Sequence, residues 1–215
     1  MLGAHSNIHA IAHETWAANG AKDRVFRMYA RNFDKSAAMA WRLRWLEKTP
    51  KHVHQVSFIR RHCPDALFVG MVRDPRDVSN SLKKRFGSLA QGIDRWKEDN
   101  QALLSYVGEP WFYLVRYEDL IAEPRATLLG IMRFLGESME EQQLQFHRSA
   151  VIPEPSFVTH GGEPPPQDNT ALRKWQVSQP LFDGRGKWAR ELGPSEIEEV
   201  IRRTKELAEK FGYVC

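Results

Sequence analysis

The residues best suited to chemistry lie in Val72 to Ser81, VRDPRDVSNS, where an arginine closes an apolar run and a proline-led helix follows. Arg73 precedes the helix start and Asp74 can cap the first turn. Pro75 suits the first helical turn, where its missing N–H costs nothing. The unpaired amides of a helix start, a guanidinium before them and the Ser81 hydroxyl about two turns later offer several donors to one anion. The chemistry this permits is the holding of a phosphate. The same charges, Arg73, Asp74, Arg76 and Asp77, also admit a plainer reading as surface ion pairs of little energetic weight.

Elements must position these residues. Leu67 to Val72 is short, apolar and bounded by Pro64 and Pro75, which predicts a strand buried on both faces of a parallel sheet. Upstream, the opening MLGAHSNIHAIAHETW has an apolar, helix-like start, and Lys35 to Trp45 has helical character until Lys48-Thr49-Pro50 forces a break. His52 to His62 predicts a further helix, with Val53, Val56 and Ile59 on one face. Downstream, Leu89 to Val107 predicts a long amphipathic helix that makes Trp96 and Asn100 neighbours. Trp111 to Tyr117, dense in aromatic and β-branched residues, predicts the next strand. Pro124 opens a helix with a stripe of Leu128, Leu129, Met132 and Leu135, and Gly136 stops it. Pro153 to Pro166 can form no regular element and reads as a loop. In the last helix Ser195 and Glu198 form an expected capping box. Ile197, Val200, Ile201, Leu207 and Phe211 form its buried stripe, and Gly212 ends it. Strand, helix, strand, helix at this spacing predicts an α/β class with parallel crossovers.

The 215 residues suit one domain spanning the whole chain. Thirty-one Lys plus Arg against 27 Asp plus Glu give a net charge of +4, as befits a protein that binds polyanionic small molecules. No basic run interleaved with aromatics stands out, so nucleic acid is not an expected partner. Cys63 and Cys215 show no paired spacing, which argues against a disulfide framework or zinc site and for a reducing, cytoplasmic compartment. No stretch approaches the roughly 18 apolar residues of a membrane span, and no signal peptide stands at the start as given.

Four segments carry a resemblance: EKTPKHV at Glu47 to Val53, VRDPRDVSNS, VRYEDLIAEP at Val115 to Pro124, and GRGKWARELGP at Gly184 to Pro194. In order and approximate spacing they resemble the sulfotransferases that use 3′-phosphoadenosine 5′-phosphosulfate, particularly the bacterial and tyrosylprotein-sulfotransferase-like branch. The resemblance covers nearly the whole chain and is weakest between His147 and Gln179. It implies a P-loop-like three-layer fold, a parallel sheet flanked by helices. The activity it implies is transfer of a sulfuryl group from that nucleotide to a hydroxyl or amine, with no metal.

By the same resemblance, Arg73 and Ser81 grip the 3′-phosphate and Tyr117 contacts the adenine. Lys187, with Arg185 nearby, closes over the nucleotide phosphates, and Lys48 steadies the sulfuryl group and the leaving phosphate oxygen. In-line attack by a hydroxyl requires a base to take its proton. Glu14, in HETW, matches the catalytic glutamate of the tyrosylprotein branch. His13 is the alternative, since neighbours on an extended segment point to opposite sides. The Pro153 to Pro166 loop is either a border of the acceptor cleft or a plain surface connection. The acceptor and the oligomeric state stay open.

One departure stands out. Family members open with a strand and a loop resembling Arg-Ser-Gly-Thr-Thr, yet no Ser-Gly-Thr-Thr and no G-x-x-x-x-G-K-[ST] occurs in these residues, and Met1 falls within the helix that follows that loop. The expectation is an N-terminally incomplete domain. It would lack the first strand and the loop that cradles the 5′-phosphosulfate, with two strand edges exposed in consequence. The alternative function is then a truncated, non-catalytic nucleotide-binding protein. A nucleotide kinase would need the phosphate loop that is missing.

Overall fold

A computed structural model describes residues 1–11, 23–148 and 179–214. By its internal contacts the chain divides into two compact units, Met1–Thr49 with Gly136–Phe182 and Pro50–Leu135 with Asp183–Cys215. No helix among the described residues is long and apolar enough to cross a membrane.

In the first unit a 3-10 turn at Leu2–Ala4 precedes strand β1 (Ile8–Ala10). Helix α1 (Asp23–Met39) and strand β2 (Arg44–Leu46) follow. The helix-like opening is therefore a turn and a strand. Extended pairing wins there because β1 runs parallel to β2, Ile8 opposite Arg44 and Ala10 opposite Leu46, and Ile11 N–H reaches the Leu46 carbonyl at 2.8 Å. The helical stretch expected to reach Trp45 stops at Met39. Trp41 takes φ of 55°, a left-handed conformation rare outside glycine. The chain then folds back so that Arg42 N–H meets the Ala37 carbonyl at 2.9 Å. Trp45 consequently lies on β2, its indole N–H donating to Asp34 at 2.9 Å.

The second unit opens with a 3-10 turn at Pro50–His54 and helix α2 (Val56–His62), so the helix expected from His52 is divided at Gln55. Strand β3 (Phe68–Val72) leads into α3 (Pro75–Phe86) and α4 (Leu89–Leu104). Strand β4 (Phe112–Arg116) leads into α5 (Tyr117–Ala122) and α6 (Pro124–Leu135). The C-terminal part supplies α7 (Trp188–Glu191) and α8 (Pro194–Lys210). β3 and β4 are parallel, Phe68 opposite Phe112 and Val72 opposite Arg116, as the strand–helix–strand pattern predicts. β3 is not buried on both faces, for Met71 is 50% exposed while Val72 enters the core.

That core gathers Val72, Trp96, Leu103, Leu207, Ala208, Phe211 and Tyr213. α4 stops at Leu104, short of the expected Val107, as the chain tightens through 3-10-type bonds from Ser105 to Ala102 and Tyr106 to Leu103. α3 and α4 cross closely at Gly92, where a Cβ would stand 2.9 Å from the Ser79 carbonyl oxygen. The cap of α8 falls two residues earlier than expected. Pro194 takes the first helical position, and the Gly193 N–H donates to Glu196 Oε2 at 3.1 Å.

Carboxylates of the C-terminal part tie it to α3. Glu191 accepts from Lys84 at 2.8 Å and from Asn80, and Glu196 accepts from Lys83. The Lys84 bond to Glu191 and the Lys83 bond to Glu196 are the main reason both carboxyls sit below the ordinary 4.5. A depressed folded-state value means that this stabilisation is present above the unfolded value and lost as pH falls through the folded one. The urea midpoint is therefore expected to be flat above about pH 5 and to fall steadily with further acidification. A midpoint that rises on acidification would contradict these ties.

Candidate functional site

The site is assembled where β3 hands over to α3. Asp74 caps the helix, its Oδ1 accepting from the Arg76 N–H at 2.8 Å, and its two oxygens hold the Arg76 guanidinium at 2.6–3.2 Å. Asp74 and Asp77 are 8% and 3% exposed, so these charges are not surface ion pairs. The cap also alters the anion chemistry expected of the helix start. The Arg76 amide is consumed by Asp74, and the Asp74 amide donates to Glu118 Oε1 at 3.0 Å. Capture of an anion therefore falls to the cationic side chains rather than to those two amides.

Arg73 is held from its backbone outward. Its carbonyl accepts from the Trp96 indole N–H at 2.9 Å, which fixes the strand end against α4. Its guanidinium lies 4.4 Å from the centre of the Tyr117 ring, and Nη2 donates to the Gly184 carbonyl. Asp77 Oδ2 stands 3.5 Å from the same Nη2. Arg73 Nε is buried with no hydrogen-bond partner among the described residues. A buried cationic donor without an acceptor is costly, and an anionic oxygen is the acceptor that suits it best.

Around this arginine the Gly184–Trp188 loop is gathered. The Gly184 N–H donates to the Tyr117 hydroxyl at 3.2 Å. The Gly186 and Trp188 N–H groups donate to Asp77 at 2.9 and 3.2 Å, one to each oxygen. Arg76 lies 4.3 Å from the Trp188 ring centre. The loop presents Arg185 and Lys187, both exposed. Arg185 is folded onto Asp183, donating to its two oxygens at 2.8–2.9 Å, and its hydrogen bonds pull the Asp183 carboxyl down to about 2. Lys187 is the N-cap residue of α7.

The structure thus brings Arg73, Tyr117, Arg185 and Lys187 into one region of the second unit. Ser81 is exposed on α3, four residues beyond Asp77 and so on the same helical face. Lys48 is exposed in the segment after β2, in the first unit, where the neighbouring Thr49 hydroxyl donates to Glu47. Glu14, His13 and the Pro153 to Pro166 loop lie outside the described residues. No group of His, Cys, Asp and Glu among the described residues is arranged to hold a metal.

Sequence reasoning missed the part played by Asp77, whose partners are more than a hundred residues away, and the Trp96 bond to the Arg73 carbonyl. The signal available for Asp77 was its place in the first turn of α3, an acidic residue just beyond Arg73 at the helix mouth.

A model of the family described as the sulfotransferase family matches residues 1–141. Among solved structures, the sulfotransferase domain of the Synechococcus PCC 7002 olefin synthase is similar at 20% identity, covering 93% of this chain and 74% of that one, with a TM-score of 0.58. The sulfotransferase domain from the curacin biosynthetic pathway is similar at 16% identity, covering 93% and 77%, with a TM-score of 0.52. Likeness at that identity speaks to the fold, an α/β arrangement with parallel strands. No match was found among curated protein sequences.

Proposed function

Because this chain belongs to the sulfotransferase family, we propose that it transfers a sulfuryl group from 3′-phosphoadenosine 5′-phosphosulfate to a hydroxyl or amine of an acceptor. The observation that carries the reading is the Arg73 guanidinium: laid on the Tyr117 ring, with one nitrogen on the loop carbonyl and Nε buried without an acceptor among the described residues. That is a preorganised donor for a phosphate oxygen, with Arg185 and Lys187 on the adjoining loop to add charge.

In this reading Arg73 and Ser81 take the 3′-phosphate, and Tyr117 lies beside the adenosine. The acceptor oxygen attacks sulfur in line as the bond from sulfur to the 5′-phosphate oxygen breaks. Adenosine 3′,5′-bisphosphate leaves, and the acceptor's proton passes to Glu14. Lys48 offsets the negative charge that grows on the leaving oxygen. With no Ser-Gly-Thr-Thr sequence present, the backbone cradle of the 5′-phosphosulfate is the one component for which these residues offer no candidate.

The test is incubation with the 35S-labelled donor and a panel of phenolic, alcoholic and amine acceptors. Label is expected on an acceptor, and Lys48→Ala is expected to lower turnover by about a hundredfold, the typical loss of one group that stabilises transition-state charge. Donor binding without transfer to any acceptor would favour the non-catalytic, nucleotide-binding alternative. Absence of donor binding would defeat the reading altogether.

A further inference from the structure

We propose that Asp77 is the positioning residue of the donor loop: its carboxylate latches Gly184–Trp188 onto α3 and partners Arg73 until a phosphate claims that guanidinium. The inference rests on the donor reading above for its ligand, but its geometry stands independently.

A carboxylate that is 3% exposed needs compensation for the water it has lost, and Asp77 finds it in two backbone amides and in the Arg73 guanidinium. Oδ2 takes the Gly186 N–H at 2.9 Å and Oδ1 takes the Trp188 N–H at 3.2 Å. Those amides flank Lys187, and Arg185 immediately precedes Gly186. Fixing them fixes the backbone from which both basic side chains project.

The two donors approach different oxygens of the carboxylate. Asparagine at this position would offer one oxygen and turn an N–H of its own toward an N–H of the loop. The residue type is thus specified by the loop and not merely by the helix. Asp77 stands 3.5 Å from Arg73 Nη2, beyond good hydrogen-bond distance, so it balances the guanidinium without saturating it. An incoming phosphate can take Arg73 while Asp77 keeps the loop. Other ties to α3, β3 and α5 bear on the ends of the segment, Gly184 through Arg73 and Tyr117, and Trp188 through Arg76. Gly186, at the centre, has φ of 67° and is anchored through Asp77.

The experiment is limited trypsin digestion of the full chain, with cleavage after Arg185 and Lys187 followed by mass spectrometry. Asp77→Asn is compared with wild type and with Ile131→Val, a buried α6 substitution that lowers global stability without touching the loop. Cleavage at both bonds is expected to rise by about tenfold in Asp77→Asn at a thermal midpoint matched by Ile131→Val, since cleavage follows the population of the locally opened state. Equal protection in Asp77→Asn and wild type would overturn the proposal. So would equal acceleration in Ile131→Val, which would mark the effect as global. A second arm titrates adenosine 3′,5′-bisphosphate: wild type is expected to bind, and Asp77→Asn about tenfold more weakly. Equal affinity in the two would count against the latch. If wild type does not bind at all, the donor reading fails, and the digestion arm alone decides the latch.

Discussion

Arg73→Ala is expected to weaken adenosine 3′,5′-bisphosphate binding by at least about a hundredfold, measured by titration calorimetry. Each hydrogen bond to a charged group contributes about 1.5–3 kcal/mol, and a guanidinium presents at least two such bonds to a phosphate. The geometry shows why no neighbour substitutes for it. The Arg76 and Asp74 amides are spent on Asp74 and Glu118, and the Arg76 side chain is committed to Asp74 and the Trp188 ring. Arg73→Lys separates charge from shape, keeping the cation while losing the planar fork that rests on Tyr117. An intermediate loss of roughly tenfold is expected for it. Wild-type affinity in Arg73→Ala would move the 3′-phosphate away from the end of β3.

Trp96→Ala is expected to cost about 3–5 kcal/mol of unfolding free energy, the range for removing a large buried aromatic side chain. Set against a total of about 5–15 kcal/mol for an ordinary domain, that endangers the fold itself. Trp96 is 2% exposed and belongs to the same core as Val72, the residue just before Arg73. Trp96→Phe is the more telling variant. It keeps most of the packing and removes the N–H that meets the Arg73 carbonyl at 2.9 Å. Its expected cost is about 1–3 kcal/mol, that of a buried polar group left unsatisfied. Urea unfolding measures both variants. If Trp96→Phe matched wild type in stability and in bisphosphate affinity, the indole N–H would have no part in fixing the strand end.

What could be read from sequence follows the range of the interactions. The Asp74 cap, Pro75 at the helix start and the Trp96–Asn100 pair are decided within one or two turns, and all three are present, Asn100 donating to the Trp96 carbonyl at 2.7 Å. The end of α6 at Gly136, with φ of 71°, is equally local. Helical character extended to Trp45 failed because α1 stops at Met39 and Trp41, two residues on, takes a left-handed conformation that its type does not announce. The cap of α8 moved because Pro194 sets the first helical position two residues before the point where Ser195 and Glu198 would act. The placement of Arg73 at a helix mouth was legible. The diversion of the helix amides was not, because it depends on Glu118, which lies beyond β4. Tyr117, tied to the nucleotide only through resemblance, has a further structural task in holding Gly184 and facing Arg73.

The pairing of Asp77 with Gly186 and Trp188 spans 109 and 111 residues of chain. During synthesis α3 leaves the ribosome long before its buried carboxylate has anything to bind. At about 5–20 residues per second, that wait lasts on the order of ten seconds. Through that interval the Asp77 carboxylate lacks both loop amides and is left to water and to Arg73. The Asp77 latch therefore closes only once Gly184–Trp188 has emerged, and a nascent chain that ends before that segment holds Arg73 without its loop.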